Sequence, residues 1–326
     1  MICIDAFKNL NLAIRSGEVY VSPCCITPLK KVQQIKFFDD PYLKRVRSSF
    51  LQDQWPQECQ ACSIPESQGH SSRRINSNKW YEHNQINDIK EDLIRIDYWV
   101  GDMCNLACVM CGPENSSLWK QELQIPIQQR RLNRNTVWKD LDIEKLRYVH
   151  FHGGEPLLSK DHGQFLAAIP NKSLVHIYYN TNGTVQADQD LLDLWKEFKL
   201  VQIDFSVDDI DNRFDYIRFP ASWSKVRDNL LWYREQCPSN CIFDIMTVIS
   251  VLNQPYLDHL AQWVQKNFST NRFTDPVEHR FQAAYGCLSP DNQNKKEIFD
   301  YLAQIDRRRG SNWKTIFPES YQNLLL

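Results

Sequence analysis

The sequence predicts an α/β fold built on a parallel sheet, either open and doubly wound or curled into a full or partial barrel. Three observations point there. Short runs rich in β-branched and aromatic residues recur from about residue 93 onward, amphipathic stretches of helical period separate them, and polar or glycine-rich segments follow closely on four of the runs. In a parallel α/β barrel the loops at the C-terminal ends of the strands line one mouth, so four such segments at equivalent places would converge on one site.

Taken in order, residues 1 to about 90 bear many cysteines and read as a loop-rich region with modest helical signal, such as Pro41 to Leu51. Within it, Ser63 to Asp88 is polar and rich in Ser and Asn, and reads as a connecting segment. Strands are predicted at Leu93 to Trp99, Tyr148 to Phe151, Leu174 to Tyr179, Val201 to Phe205, Ile242 to Ile249 and Val277 to Ala283. Leu191, Leu192, Leu194, Trp195 and Phe198 share one helical stripe. Leu257, Leu260, Ala261 and Val264 share another, with Pro255 in that helix's first turn. The predicted division is a cysteine-bearing module with its connector over 1–90, the α/β core over 91–285, and a helical extension over 286–326.

A chain of 326 residues buries a large core and has room for one large domain plus a small one. The formal net charge of −2 argues against a general nucleic-acid binder. Two basic runs, Arg130-Arg131 and Arg307-Arg308-Arg309, read as solvated helix faces. No segment approaches a membrane-spanning length, and the N-terminus lacks a basic start followed by an apolar run, so a cytoplasmic protein is expected. Eleven cysteines, an odd number, argue for metal or redox chemistry over a disulfide framework in that compartment.

The densest cysteine run is Cys104-Asn105-Leu106-Ala107-Cys108-Val109-Met110-Cys111. Three thiols at C-x3-C-x2-C are one ligand short of closing a tetrahedral metal site or a four-iron cluster. A site meant for chemistry keeps a position open, whereas structural sites use four protein ligands. The competing readings are a zinc knot completed by a distant residue, or cysteines buried as small hydrophobes.

CNLACVMC followed by Gly153-Gly154-Glu155-Pro156 resembles the radical S-adenosylmethionine (SAM) superfamily, from about Ile94 to the C-terminus. The surrounding GDMCNLACVMCGPENSSLWKQE, the segment YIRFPASW and the ending IDRRRGSNWKTIFPES resemble its twitch-domain subgroup. The resemblance implies a partial (β/α)6 TIM-type barrel and a 4Fe-4S cluster on Cys104, Cys108 and Cys111 whose fourth iron chelates SAM. It further implies reductive cleavage of SAM to a 5′-deoxyadenosyl radical that abstracts a substrate hydrogen, and a reductant such as flavodoxin or ferredoxin. Met110 stands where the family commonly has an aromatic residue against the adenine, a place a flexible thioether also fills. Gly153 and Gly154 permit close backbone approach to the ligand, and Glu155 offers an acceptor for the SAM ammonium. Ser206 and Asp208 suit ribose hydroxyls or the methionyl moiety. Asn180 and Asn182 serve either the same cofactor or the turn itself. Arg218 is a candidate to neutralise the SAM carboxylate or to pair with Asp209, Asp211 or Asp215.

Upstream, Cys3, Cys24-Cys25 and the Cys59-x2-Cys62 pair are enough for a second, four-ligand site. Their arrangement resembles the auxiliary-cluster module of twitch and SPASM proteins, placed here before the barrel. That assigns Cys3, Cys24, Cys59 and Cys62 to an auxiliary 4Fe-4S cluster, with Cys25 as an alternative to Cys24 and a structural zinc site as the competing reading. The subgroup's use of such clusters suggests a peptide or amino-acid side chain as substrate, with a sugar or nucleoside as the alternative. A non-catalytic iron–sulfur or zinc protein, used in partner binding or redox sensing, is the reading from another class. Cys237 and Cys241 read as structural, and His150 and His152 as packing or hydrogen-bonding residues. Cys287 and Tyr285, after the sixth predicted strand, are candidates for substrate contact or hydrogen donation, against a plain structural role.

Overall fold

The computed structural model describes residues 1–15, 17–126, 137–268, 279–284 and 286–326. Nine strands are β1 (Asn9–Arg15), β2 (Glu18–Ser22), β3 (Lys30–Val32), β4 (Arg95–Trp99), β5 (Tyr148–His152), β6 (His176–Thr181), β7 (Leu200–Ser206), β8 (Cys241–Ile249) and β9 (His279–Ala283). The helices are α1 (Asp5–Lys8), α2 (Pro41–Leu51), α3 (Gln60–Ser67), α4 (Arg73–His83), α5 (Ser117–Glu122), α6 (Asp161–Ala168) and α7 (Gln189–Trp195), then α8 (Asp211–Ile217), α9 (Trp223–Gln236), α10 (Leu257–Phe268), α11 (Lys295–Arg309), α12 (Trp313–Ile316) and α13 (Pro318–Leu325). The fold is α/β with a mostly parallel sheet, as the alternation predicts.

Two compact units divide the chain, and β6 belongs to both. The first unit comprises Met1–Asp102, Gln128–Tyr178 and Glu197–Lys199. Its strand order is β3-β2-β1-β4-β5, continued by the first half of β6. The β1–β2 and β2–β3 pairs are antiparallel, and β1–β4 and β4–β5 are parallel.

Period-2 alternation gives this sheet two different faces. Leu10, Leu12, Ile14, Ile96, Tyr98, Val149 and Phe151 are buried on the apolar one, where Phe165 of α6 packs edge-on to Tyr98. The register sets Asn9, Arg95 and Tyr148 in one row of the other face, then Asn11, Asp97 and His150, then Ala13, Trp99 and His152. Mutual contacts offset part of the cost of burying these polar groups. Asp97 accepts from Asn9 Nδ2 (3.1 Å) and Arg73 (3.1 Å) and lies 3.3 Å from His150 Nδ1, while Arg95 stacks over Tyr148 and Trp80.

The first ninety residues differ from the loop-rich expectation. β1 runs parallel to β4 and extends the sheet, and the polar connector is helical over α3 and α4. Buried asparagines hid β1, because Asn9 and Asn11 break its apolar signal while bonding across to Asp97, Pro23 and Ser22. α4 likewise carries little apolar surface. Ser72 caps it (3.2 Å to Ile75 N), and its Arg74 and Asn78 hold the N-terminal segment by bonds to Ile2 O of 2.8 and 2.9 Å.

The second unit comprises Met103–Ile127, Tyr179–Lys196 and Leu200–Leu326. After the second half of β6 come β7, β8 and β9, with β7–β8 and β8–β9 parallel. Trp195 of α7 packs on Tyr179, as its predicted stripe requires. Ile298, Leu302 and Ile305, one face of α11, share a core with Ala107 and Val109 of the cysteine run and with Trp119, Ile217 and Phe317. The C-terminal helices therefore pack on the cysteine loop. No helix among the described residues is long and apolar enough to cross a membrane.

Candidate cluster and cofactor sites

The loop after β4 is fixed through its backbone. Four successive carbonyls each accept a donor: Leu106 O from Ser116 Oγ (2.5 Å), Ala107 O from Arg309 Nη2 (2.7 Å), Cys108 O from Trp119 Nε1 (2.9 Å) and Val109 O from Tyr301 Oη (2.5 Å). Ala107 N–H donates to Phe219 O and Val109 N–H to Ile217 O, a short ladder onto the segment after α8. Ser117 Oγ clamps the entry, accepting from Cys104 N–H (3.1 Å) and donating to Cys104 O (3.0 Å). A loop carrying so many obligatory polar groups stays buried only if they are paired in this way.

The thiols keep donors and cations around them. Leu106 N–H (3.4 Å) and Asn182 Nδ2 (3.9 Å) both point at Cys104 Sγ. Burial pushes the Cys108 and Cys111 thiols up to about 11, against the pull of the Arg218 guanidinium. Each is therefore a protonated thiol near neutral pH until a metal displaces the proton. Amide donors to sulfur and a nearby cation suit an anionic thiolate cluster, so the residues fit the group expected here.

Arg218 is buried, and its Nε donates to Asp208 Oδ2 at 2.6 Å. Burial disfavours the Arg218 charge, but the Asp208 carboxylate beside it outweighs that and holds the guanidinium charged. The aspartate partner is thus Asp208 and none of the three considered from sequence. Asp209 pairs with Arg213 (2.9 Å), Asp215 accepts from Trp223 N–H, and Asp211 opens α8. Asp208 Oδ1 also accepts from Val248 N–H at 2.8 Å, so both its oxygens are engaged inside the fold. Asn182 shapes its turn by accepting from Thr184 N–H (2.9 Å) while its amide donates to Asn105 Oδ1 (3.0 Å). Asn180 lies half-buried in β6, Ser206 ends β7, and Met110 packs against the core shared with α11.

The Gly153-Gly154-Glu155-Pro156 turn lies in the first unit, after β5. Gly153 has φ +126°, and a Cβ there would stand 2.6 Å from Gly101 O and 2.7 Å from the Trp99 ring. Only glycine meets both demands. Gly154 N–H and Trp99 Nε1 both donate to Gly101 O, at 2.8 and 2.9 Å. Glu155 is 1% exposed and caps the following turn by accepting from Leu157 N–H.

Also in the first unit, Cys3, Cys24, Cys59 and Cys62 line one cavity with Asp5, Arg73 and Arg74, enclosing about 320 Å³ not filled by protein. Cys25 is absent from that lining and borders a second, open cavity instead. Burial raises Cys3 well above the thiol range, Cys24 to about 11 and Cys59 to about 12, and the neighbouring cysteines add to the shifts of Cys3 and Cys59. Among the described residues no three His, Cys, Asp or Glu side chains gather tightly enough to hold a single metal ion.

Cys237 and Cys241 are both buried, and a hydrogen bond from one to the other raises the Cys241 thiol. His150 and His152 stack with ring centroids 4.7 Å apart. Cys287 borders an open cavity of about 670 Å³ beside Glu297 and Tyr301, and Tyr285 lies outside the described residues, as do Arg130 and Arg131. Sequence reasoning missed Ser116, Ser117, Trp119, Tyr301 and Arg309. The last corrects the reading of the Arg307 to Arg309 run: Arg307 and Arg308 are exposed, but Arg309 is 3% exposed and paired with Glu122 at 3.1 Å. Its place at the C-terminal turn of α11, one residue before the Gly310 cap, was the available signal.

A family model described as the radical SAM superfamily matches residues 99–264. Among solved structures, the chain is similar to native anSMEcpe with bound AdoMet and Cp18Cys peptide, at 15% identity and TM-score 0.40, covering 67% of this chain and 61% of that one. It is also similar to Streptococcus suis SuiB bound to S-adenosylmethionine, at 12% identity and TM-score 0.41, covering 95% and 73%. TYW1 with a lysine-pyruvate adduct gives 13% identity and TM-score 0.35, covering 66% and 71%.

Proposed function

Because the chain belongs to the radical SAM superfamily and is an enzyme of that kind, we propose that Cys104, Cys108 and Cys111 hold a 4Fe-4S cluster with one iron left for SAM. When loaded, that centre would supply the chemistry of reductive SAM cleavage and, through it, hydrogen abstraction from the substrate. The protein's own residues bind, orient and exclude water. The observation that carries this reading is the cysteine loop. Four pinned carbonyls hold three half-buried thiols in place, with amide donors on Cys104 and a charged Arg218 coupled to the other two.

In this proposal Glu155 accepts the SAM ammonium and Arg218 meets its carboxylate. Among the described residues only Nε of Arg218 is hydrogen-bonded, which leaves the terminal nitrogens for a ligand. Met110, Asn180, Asn182 and Ser206 contribute to the cofactor's adenosine and methionyl contacts. Asp208 acts by positioning Arg218, since both its oxygens already have donors.

Cys3, Cys24, Cys59 and Cys62 would hold the auxiliary 4Fe-4S cluster of a twitch-like module, with Cys25 outside it. Their common cavity and mutual electrostatic influence support this grouping. The proposed substrate is a peptide or amino-acid side chain, and the proposed reductant a flavodoxin or ferredoxin. The test is anaerobic reconstitution followed by dithionite and SAM. We expect 5′-deoxyadenosine from the wild type and none from Cys104→Ala, Cys108→Ala or Cys111→Ala. A wild type with its loop cluster in place and no 5′-deoxyadenosine ends the proposal.

A further inference from the structure

The open cavity bordered by Cys25 has no part in the chemistry above. Its walls include Asn11 and Arg15 of β1, Tyr20 of β2, Cys25 and Leu29 between β2 and β3, and Trp99 of β4, around about 1020 Å³ of space not filled by protein. Ile26 and Thr27 border both this cavity and the four-cysteine one, so the turn from Cys24 to Thr27 is their common wall. Trp99 is shared on another side, since its indole also packs under Gly153.

Two polar groups in this cavity lack partners among the described residues. The Arg15 guanidinium lies 4.3 Å from the Trp99 ring centroid, its Nε is buried without an acceptor, and its side chain forms no ion pair with a described residue. Glu18, opposite it across the β1–β2 hairpin, is engaged by Lys31 at 2.5 Å and Tyr20 at 3.1 Å. Asn11 is 2% exposed; its amide nitrogen donates to Ser22 Oγ at 2.9 Å, while its Oδ1 accepts from nothing described. Leaving a buried donor and a buried acceptor unmade costs stability, and a ligand that supplies both partners recovers it.

We propose that this cavity binds the substrate, and that it recognises a free carboxylate on Arg15 and an adjacent amide N–H on Asn11. The inference rests on the radical-enzyme reading and names its substrate class. The planar guanidinium fork matches a carboxylate, and one cation without a second among the described lining residues suits a monoanion better than a phosphate dianion. A carboxylate beside an amide N–H is the C-terminal residue of a peptide, or an N-acylated amino acid. The Trp99 indole that Arg15 stacks on also lies against the Gly153 turn, and the Cys24–Thr27 wall places the cavity beside the cysteines of the proposed auxiliary cluster.

The experiment uses the reconstituted holoenzyme with SAM, in equilibrium dialysis against an equimolar mixture of N-acetyl amino acids and their carboxamides, read by mass spectrometry. Free acids are expected to be retained over the matching amides by about ten-fold or more. Arg15→Gln should abolish that preference and Arg15→Lys should keep part of it. Equal retention of acids and amides, or retention of neither, overturns the proposal on the wild type alone, without reliance on how a variant folds. An unchanged preference in Arg15→Gln overturns it as well. The 5′-deoxyadenosine yield of the same wild-type preparation separates the two claims. Product without an acid preference overturns the pocket alone, whereas a preference without product overturns the reaction assigned to it.

Discussion

Glu155 joins a structural duty to a proposed functional one. Its buried carboxylate caps the turn after β5 through Leu157 N–H, and in the proposed reaction it also faces a cation. Glu155→Gln keeps a carbonyl oxygen for the cap and removes the charge, so the fold should persist while SAM binding weakens by about ten-fold or more. Equilibrium dialysis with labelled SAM checks this, and unchanged affinity removes Glu155 from the ammonium role. His152 carries a different test. Burial first, and the charge on His150 second, lower it to about 3 in the folded state. A histidine depressed below its unfolded value stabilises the fold above about pH 6.5 and loses that contribution as pH falls toward the folded value. Between pH 8 and 5.5 this is worth about 1 kcal/mol. The fall in urea midpoint over that range should be shallower in His152→Gln than in the wild type. The ring's role was legible as packing, but its place in a row with Ala13 and Trp99 needed the register.

At the scale of elements, the parts that hold the site are short and each has one critical residue. Gly153→Ala would drive a Cβ against Gly101 O at a backbone conformation that L side chains avoid, costing about 2–3 kcal/mol. Its unfolding midpoint should drop accordingly, and SAM affinity with it. Arg309, reaching from α11, donates to Ala107 O and Glu122 and stacks on Phe219 and Trp119. Arg309→Ala should cost about 2–3 kcal/mol and lower iron retention at the cysteine loop, since it leaves a buried carbonyl and a half-buried carboxylate unpaired. Iron and sulfide assays on a Cys59→Ala/Cys62→Ala background isolate that effect. Strands β4 to β8 were readable from sequence to within a couple of residues, because each has an apolar run bounded by turn residues. β1 was not, because Asn9 and Asn11 are satisfied by groups on other segments that sequence periodicity cannot see. α4 escaped for the same reason, its contacts to Ile2 and Ile4 being hydrogen bonds to a remote stretch.

At the scale of the whole molecule, two sets of cysteines lie in separate compact units, the closed-looking set in the first and the open set in the second. The spacing proposes both sets and leaves Cys24 and Cys25 as alternatives. These adjacent residues of one turn border different cavities, a distinction that depends on the fold and that favours Cys24 in the proposed set. Fully reconstituted protein should carry about eight irons, and the Cys59→Ala/Cys62→Ala variant about four. Iron that stays constant, with zinc bound in the wild type, would return the upstream cysteines to a structural role. The most direct test of the central claim uses that double variant, which keeps only the loop cluster. Reduced anaerobically, it should give an electron paramagnetic resonance signal that changes on adding SAM, because one iron is free to take the ligand. A loop cluster whose signal is indifferent to SAM would contradict the open position from which the proposed reaction begins.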